Sequence, residues 1–242
     1  MTTILALAQN VAKDLGYQAP TTLFAAYDEG DTTDYKLVRA LHRVSEYISK
    51  YWDWPELIAE HTFTSGANGA QTGAIPSDFR RVVKGTVFDR TNHCRIMGPL
   101  TPEAWAKREA AVVQVGRPSF RIRGASFLYN SSFSTGATIA YEYVTTKIGA
   151  TSGGSAVATF TANTDVSVWP DELMHLGMCW AIQTRDLVES GPDFEAFKGR
   201  LHEEMTARSN GDPLDMGGDD DVIMDNTGGV IIPADYIDGG AP

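Results

Sequence analysis

Segments with helical spacing flank a middle region that has the composition of β-strands, and this order most constrains the fold. Two such segments precede residue 58 and two follow residue 168. Between residues 58 and 148, short runs rich in Val, Phe, Tyr and Thr are broken by Gly, Asn and Pro, as is typical of strands and turns. Because one amphipathic helix cannot bury its apolar stripe alone, the first two helices must pack on the last two.

The first two helices have recognisable boundaries. Apolar residues recur at helical spacing from Ile4 onward, and Gly16 stands where a C-terminal cap belongs. A second helix begins after Thr32 or Thr33 as its N-cap. It should stop near Trp54, since proline follows at position 55.

The remaining elements are predicted in the same way. Pro170 opens a third long helix whose apolar stripe reaches Leu187, and a fourth covers residues 193–208. A short helix is capped by Thr101 and runs to about Val112. The predicted strands are 59–64, 81–89, 119–122, 127–129, 138–144 and one around 156–160.

These elements predict an α+β fold, a four-helix bundle with a β-rich insertion between the second and third long helices. Residues 1–57 and 149–210 would form the discontinuous bundle, and 58–148 the insertion. Residues 211–242 hold eight Asp, seven Gly and no basic residue, so they cannot build a core of their own. We expect them to be an extended acidic arm.

Charge is distributed unevenly along the chain. The net charge is −11, yet residues 58–148 carry eleven Lys or Arg against six Asp or Glu. Residues 1–57 carry five against eight, and 149–210 carry four against nine. A general nucleic-acid binder should have the opposite overall sign. No run of about 18 apolar residues could span a bilayer, and no signal peptide is recognisable, so we expect no membrane partner and synthesis in the cytosol.

Catalytic and metal-binding signatures are not apparent. The sequence has no GxSxG, GxxxxGK[ST], HExxH or GxGxxG motif. Cys94 and Cys179 form no CxxC pair and are expected to be ordinary core residues. His93 is adjacent to Cys94, and neighbouring residues on a strand point to opposite faces, which disfavours a catalytic pair. We therefore predict no enzyme activity, no cofactor and no metal site.

The densest basic stretch includes Arg80, Arg81 and Lys84, with phenylalanines interleaved. A phosphate-binding surface is one interpretation, but alternation on a strand would spread these charges over two faces. We instead expect the three residues to contribute to a contact between subunits, against an acidic flank of a neighbour.

Several segments carry a resemblance to a known family. They are the run 75–81 (IPSDFRR), the run 87–91 (VFDRT), the run 98–105 (GPLTPEAW), the run 161–165 (TANTD) and the stretch from Pro170 to Trp180. In their order and spacing these segments resemble the head-to-tail adaptor proteins of tailed bacteriophages. The opening residues and the YWDW run at 51–54 fit as well, so the resemblance spans about residues 1–200.

The resemblance implies a structural virion protein. Such adaptors assemble as a ring, commonly of twelve copies, beneath the portal protein at the head-tail junction, after synthesis in the host cytoplasm. The ring prolongs the channel through which double-stranded DNA passes without sequence recognition, and it offers a docking surface to tail proteins. An acidic total charge suits a channel wall that DNA must slide past.

A C-terminal arm lying along the portal is also implied by the resemblance, and residues 211–242 would supply it. Short apolar clusters there suit an added strand or pockets on a partner. These residues are Val222, Ile223, Met224, Val230, Ile231, Ile232, Tyr236 and Ile237.

Three other functions remain open on the sequence alone. A tail-tube or tail-completion component shares every feature above and differs only in its partner. A virion-associated cell-wall hydrolase would need a carboxylate pair with one raised pKa, and no candidate pair stands out. A nucleic-acid-binding regulator would show salt-dependent binding to duplex DNA.

Overall fold

The computed structural model describes residues 2–24, 32–110, 117–130, 135–186 and 191–208. These residues form two compact units. The helical unit comprises the described residues of Met1–Ala59, Asp78–Arg81 and Tyr143–Gly211, and the β unit those of Glu60–Ser77 and Val82–Glu142. The predicted arm at 211–242, with its apolar clusters, lies outside the described residues.

The fold is α+β, with five helices and antiparallel sheets between the helix pairs. The helices are α1 Ile4–Asp14, α2 Thr33–Tyr51, α3 Pro102–Ala110, α4 Asp171–Arg185 and α5 Gly191–Arg208. Helix α4 packs against α1, α2 and α5. Gly177 permits this close packing, because a Cβ atom there would lie 2.5 Å from Val44 Cγ1 and 2.9 Å from Phe197.

The helix boundaries confirm the main sequence signals. Thr3 caps α1 by accepting a hydrogen bond from the Ala6 amide at 3.3 Å, and Thr32 caps α2 through the Tyr35 amide at 3.3 Å. Helix α2 ends at Tyr51, somewhat before the predicted stop near Trp54. The predicted ends of α3 at Val112 and of α4 at Leu187 fall outside the described residues.

Eleven short strands are described. They are β1 Ile58–Thr64, β2 Gly69–Gln71, β3 Phe79–Val82, β4 Phe88–Asp89, β5 Cys94–Arg95, β6 Ser119–Arg123, β7 Ser126–Asn130, β8 Thr138–Thr145, β9 Gly149–Ala150, β10 Ala156–Val157 and β11 Val166–Ser167. They form three sheets, with orders β1-β8-β4-β5 (β3 also pairing with β8), β2-β7-β6 and β10-β9-β11.

Aromatic rings fill the core of the β unit. Phe127 is fully buried and stacks on Phe120, with ring centres 4.9 Å apart and planes 5° apart. The ring centre of Tyr141 lies 5.7 Å from that of Phe127. Phe63 approaches Phe127 edge-on, with ring centres 5.2 Å apart. Strands β1, β6, β7 and β8 supply these four rings, so the stack joins two sheets of this unit.

Two strand predictions were wrong in extent. The single strand predicted over 81–89 is two short strands, β3 and β4, separated by a turn. Gly85 adopts φ +84° there, and the Val83 carbonyl accepts a hydrogen bond from the Thr86 hydroxyl at 2.8 Å. Alternating composition could not reveal this turn. The strand predicted at 156–160 ends at Val157, and the paired strands β2, β5, β9 and β11 were not predicted because they are only two or three residues long.

Candidate functional site

The predicted basic stretch is divided between the two units. Arg80 and Arg81 lie in the helical unit, whereas Lys84 lies in the β unit, where it is exposed. Arg80 Nη1 donates to Ser49 Oγ at 2.5 Å, and Arg81 Nε donates to Asp53 Oδ1 at 3.0 Å. The two arginines therefore fasten the start of β3 to the C-terminal end of α2. Their predicted role between subunits stays a prediction.

Asp78 in the IPSDFRR run is a carboxylate whose pKa is strongly lowered by its neighbours. It accepts hydrogen bonds from Tyr143 Oη at 3.1 Å and Thr145 Oγ1 at 2.8 Å, and Lys147 Nζ lies 2.9 Å away. Burial alone would raise the pKa of Asp78, but the hydrogen bonds from Lys147, Thr145 and Tyr143 outweigh it and lower the pKa to about 2. The carboxylate fixes the turn before β3 to the end of β8.

The TANTD run holds the first helix in place. Asp165 is 1% exposed, and its Oδ2 accepts from the amides of Thr161 at 2.9 Å and Ala162 at 3.0 Å. Its carbonyl accepts from the Ile4 amide at 2.8 Å. Asn163 accepts from the Leu23 amide at 2.9 Å. Both polar residues therefore satisfy backbone groups of loops and of the α1 start.

The other segments of the resemblance have comparable structural positions. Asp89 is buried and accepts from the amides of Thr91 and Asn92, which closes the turn between β4 and β5. Trp105 of α3 is 3% exposed, and Thr101 caps this helix by accepting from the Ala104 amide at 3.2 Å. A Cβ atom at Gly98 would lie 2.5 Å from the Phe120 carbonyl oxygen, so only glycine fits there.

Asp14, His175 and Cys179 lie together where α1 packs on α4. His175 Nε2 is 2.8 Å from Asp14 Oδ2 and 3.7 Å from Cys179 Sγ. Because one ring nitrogen makes both contacts, the imidazole cannot relay a proton from the thiol to the carboxylate as a catalytic triad does. Burial, with the charges of Asp14 and Asp193, raises the pKa of Cys179 to about 11, so the thiolate is disfavoured.

The spacing of four residues between His175 and Cys179 on one helix is the signal in the sequence that indicates this cluster. The prediction that both cysteines are core residues was wrong, since each is only partly buried. Cys94 begins β5, and His93 precedes it in a turn with φ +53°, so the alternation argument does not apply to His93. Burial, followed by the charge of Asp89, raises the pKa of the Cys94 thiol.

The basic groove of the helical unit lies between α2 and α4 and has a volume of about 770 Å³. Its lining residues are Tyr35, Lys36, Arg39, Ala40, His42, Arg43, Glu46, Ala181, Ile182 and Arg185. Burial lowers the pKa of His42 and so favours its neutral form. Lys36 pairs with Asp186 at 3.0 Å and Glu46 pairs with Lys50.

The guanidinium groups of two arginines in this groove lie beside aromatic rings. Arg39 Cζ lies 5.7 Å from the centre of the Tyr35 ring, and Arg43 Cζ lies 5.1 Å from the Trp180 ring. Both arginines are exposed, and neither forms an ion pair with a carboxylate of the described residues. Arg39 Nη1 also donates to Tyr35 Oη at 3.3 Å. An exposed guanidinium beside a ring keeps its other N–H groups available, so the two side chains can still bind an anion.

An aromatic strip continues from the groove along α2, α4 and α5. The ring centre of Tyr47 lies 5.8 Å from those of both Tyr51 and Trp180. The ring centres of Trp180 and Phe194 are 5.0 Å apart. Tyr51 is 39% exposed, and the other three side chains are partly exposed. Tyr, Trp and Arg are the residues that dominate binding energy at protein interfaces.

The β unit has a groove of about 580 Å³ beside β4 and β8. Phe88 lines it and is 45% exposed, with Glu60, Arg90, His93 and Glu142 around it. Arg90 pairs with Glu60 at 2.7 Å across this groove. The charged residues here are of both signs, in contrast to the arginines of the basic groove.

No protein-family model matches this chain, and no curated protein matches it significantly. Within the part of the chain that the structure describes, no three His, Cys, Asp or Glu side chains are grouped to hold a metal ion. No helix of that part combines the length and hydropathy needed to cross a bilayer.

Proposed function

We propose that this chain is a head-to-tail adaptor of a tailed bacteriophage. Copies would form a ring under the portal, extend the DNA channel and offer the tail its docking surface. In each copy, α1, α2, α4 and α5 would be the four-helix bundle, the β-rich insertion would connect α2 to α4 in the chain, and residues 211–242 would form the extended arm that reaches the portal.

The observation that supports this proposal most directly is the structural role of the residues on which the resemblance rests. Asp78, Asp89, Asn163 and Asp165 each bind loop, turn or strand-end groups of their own chain. Gly98 and Trp105 are fixed by packing. Such residues specify a scaffold, and a scaffold that presents surfaces to partners is what an adaptor has to be.

Electrostatics also favour a structural role over hydrolysis of cell-wall glycans. A glycoside hydrolase needs a general acid whose pKa is raised. Among the described residues, a hydrogen bond from Lys50 lowers the pKa of Glu46, and hydrogen bonds from Tyr17 and Lys36 lower the pKa of Asp186. The contacts of Asp78 given above lower its pKa as well.

Electron microscopy of the chain mixed with candidate portal rings tests this proposal. We expect an additional ring of density on one face of the portal, around a continuous channel, because the portal templates assembly. Adding tail-tube proteins instead of portals is the control that separates an adaptor from a tail component. Assembly on tail proteins with no binding to portals would replace the adaptor by a tail-completion protein.

A further inference from the structure

We propose that the basic groove between α2 and α4 binds the acidic segment 212–225 of a second copy of this chain. That segment contains Asp212, Asp215, Asp219, Asp220, Asp221 and Asp225 and no basic residue. The contact would be heterologous, since a groove on one copy receives a segment of the next, and the rest of the arm, from residue 226 onward, would continue to the portal. The choice of a second copy rests on the proposed ring.

The spacing of the charges is complementary. Arg39 and Arg43 are one helical turn apart on α2, which places them about 6 Å apart along the axis. Alternate residues of an extended chain are separated by roughly 6.6 Å and point to the same side. An extended segment could therefore bring Asp219 to one arginine and Asp221 to the other, with bidentate geometry available to both pairs.

The apolar residues follow in a matching order. Val222, Ile223 and Met224 come directly after the three aspartates. On the helical unit, the aromatic strip of Tyr47, Tyr51 and Trp180 comes directly after the arginines along α2. Flexible methionine and branched aliphatic side chains pack well on such rings. If the segment runs parallel to α2, its aspartates therefore reach the arginines and its apolar residues reach the aromatic strip.

A peptide suits this groove better than duplex DNA does. Glu46 lines the groove and Asp186 lies at its end, paired with Lys36. Carboxylates at these two places would repel a long phosphate backbone, whereas a short segment can avoid them. The net charge of −11 further disfavours a polyanion that extends beyond the groove.

The first test measures binding of a fluorescein-labelled peptide of residues 212–225 to the full chain by fluorescence anisotropy. The groove variant is Arg39→Glu with Arg43→Glu, both on an exposed helix face. The control, Lys107→Glu with Arg123→Glu, makes the same charge change at exposed positions of the β unit. We expect about tenfold weaker binding to the groove variant, as several exposed ion pairs of small individual strength are lost, and near-equal binding to the control.

Ionic strength and DNA complete this test. Binding of the peptide should weaken as salt is raised, because the pairs are exposed. Equal binding of the peptide to the groove variant and to the native chain would overturn the proposal. So would a duplex oligonucleotide that binds through Arg39 and Arg43 more tightly than the peptide.

A charge exchange between copies tests whether the contact is intermolecular. The tail variant is Asp219→Lys, Asp220→Lys and Asp221→Lys. The groove variant alone and the tail variant alone should not self-associate, whereas their mixture should, as measured by sedimentation at high concentration. If the mixture associates no better than either variant, the segment does not bind a second copy. Binding of the peptide without assembly on any portal would instead keep the groove contact and refute the adaptor.

Discussion

The helical unit and the β unit differ in where carboxylates and aromatic rings act, although the buried Asp89 also closes a turn of the β unit. In the helical unit, buried or half-buried carboxylates such as Asp78 and Asp165 hold loops to helices and strands. In the β unit, a stack of rings around Phe127 fills the core. The distribution of cations differs as well. The β-rich segment has the excess of Lys and Arg, yet the groove that presents arginines lies in the helical unit, whose segments are net acidic.

This comparison shows that segment charge does not locate a binding surface. Lys36, Arg39 and Arg43 are separated by three and four residues on α2, so they share one helix face. In the β unit, Arg90 pairs with Glu60 and Lys107 pairs with Glu103, and the other cations are spread over loops, α3, β5 and β6. Helical spacing of like charges was therefore the signal in the sequence, and summing over segments concealed it.

The largest expected effect tests the aromatic core. Phe127→Ala should lower the free energy of unfolding by about 3–5 kcal/mol, because the ring is fully buried between Phe120 and Tyr141. Phe88→Ala is the matched control, since that ring is 45% exposed, and it should cost far less. Urea unfolding followed by circular dichroism measures both. Similar losses from the two variants would show that the stack does not stabilise the β unit.

An intermediate effect tests the loop contacts of the helical unit. Asp165→Ala should lower the free energy of unfolding by about 1–3 kcal/mol, because two amides lose their acceptor in a buried site. Hydrogen exchange should quicken at Thr161 and Ala162. Glu195→Ala, on an exposed position of α5, is the control with little change. Unchanged exchange at these amides would mean that Asp165 does not hold the loop.

The smallest effect concerns pH. The pKa of Asp78 is about 2 when folded, against an ordinary value of 3.8. A lowered pKa stabilises the fold above pH 3.8, and this contribution is lost as pH falls toward 2. At about 1.4 kcal/mol per pKa unit, this contribution is at most about 2–3 kcal/mol, and solvent around the half-exposed Lys147 partner reduces it. The difference in stability between the native chain and Asp78→Asn should therefore shrink over this range. A difference in stability that stays constant over this range would show that Asp78 does not titrate there.

The sequence predicted most of the helical architecture and less of the sheets. Caps and apolar spacing located α1 and α2, because those signals act within one turn of helix. The two-residue strands β5, β9 and β11 have partners nearby in the chain, but they are too short to carry an alternating pattern that composition could reveal. The basic stretch at Arg80 and Arg81 was recognised, but their contacts with Ser49 and Asp53 depend on how the chain folds back on α2.

The most direct test of the adaptor proposal compares the full chain with a chain truncated after Asn210, by the number of copies bound per portal ring. We expect the full chain to add a ring of bound copies. We expect the truncated chain to bind far more weakly at an unchanged melting temperature, since the arm would contribute only in the complex. Full-chain samples that leave every candidate portal ring bare, or truncated chains that bind as well as full ones, would contradict the account.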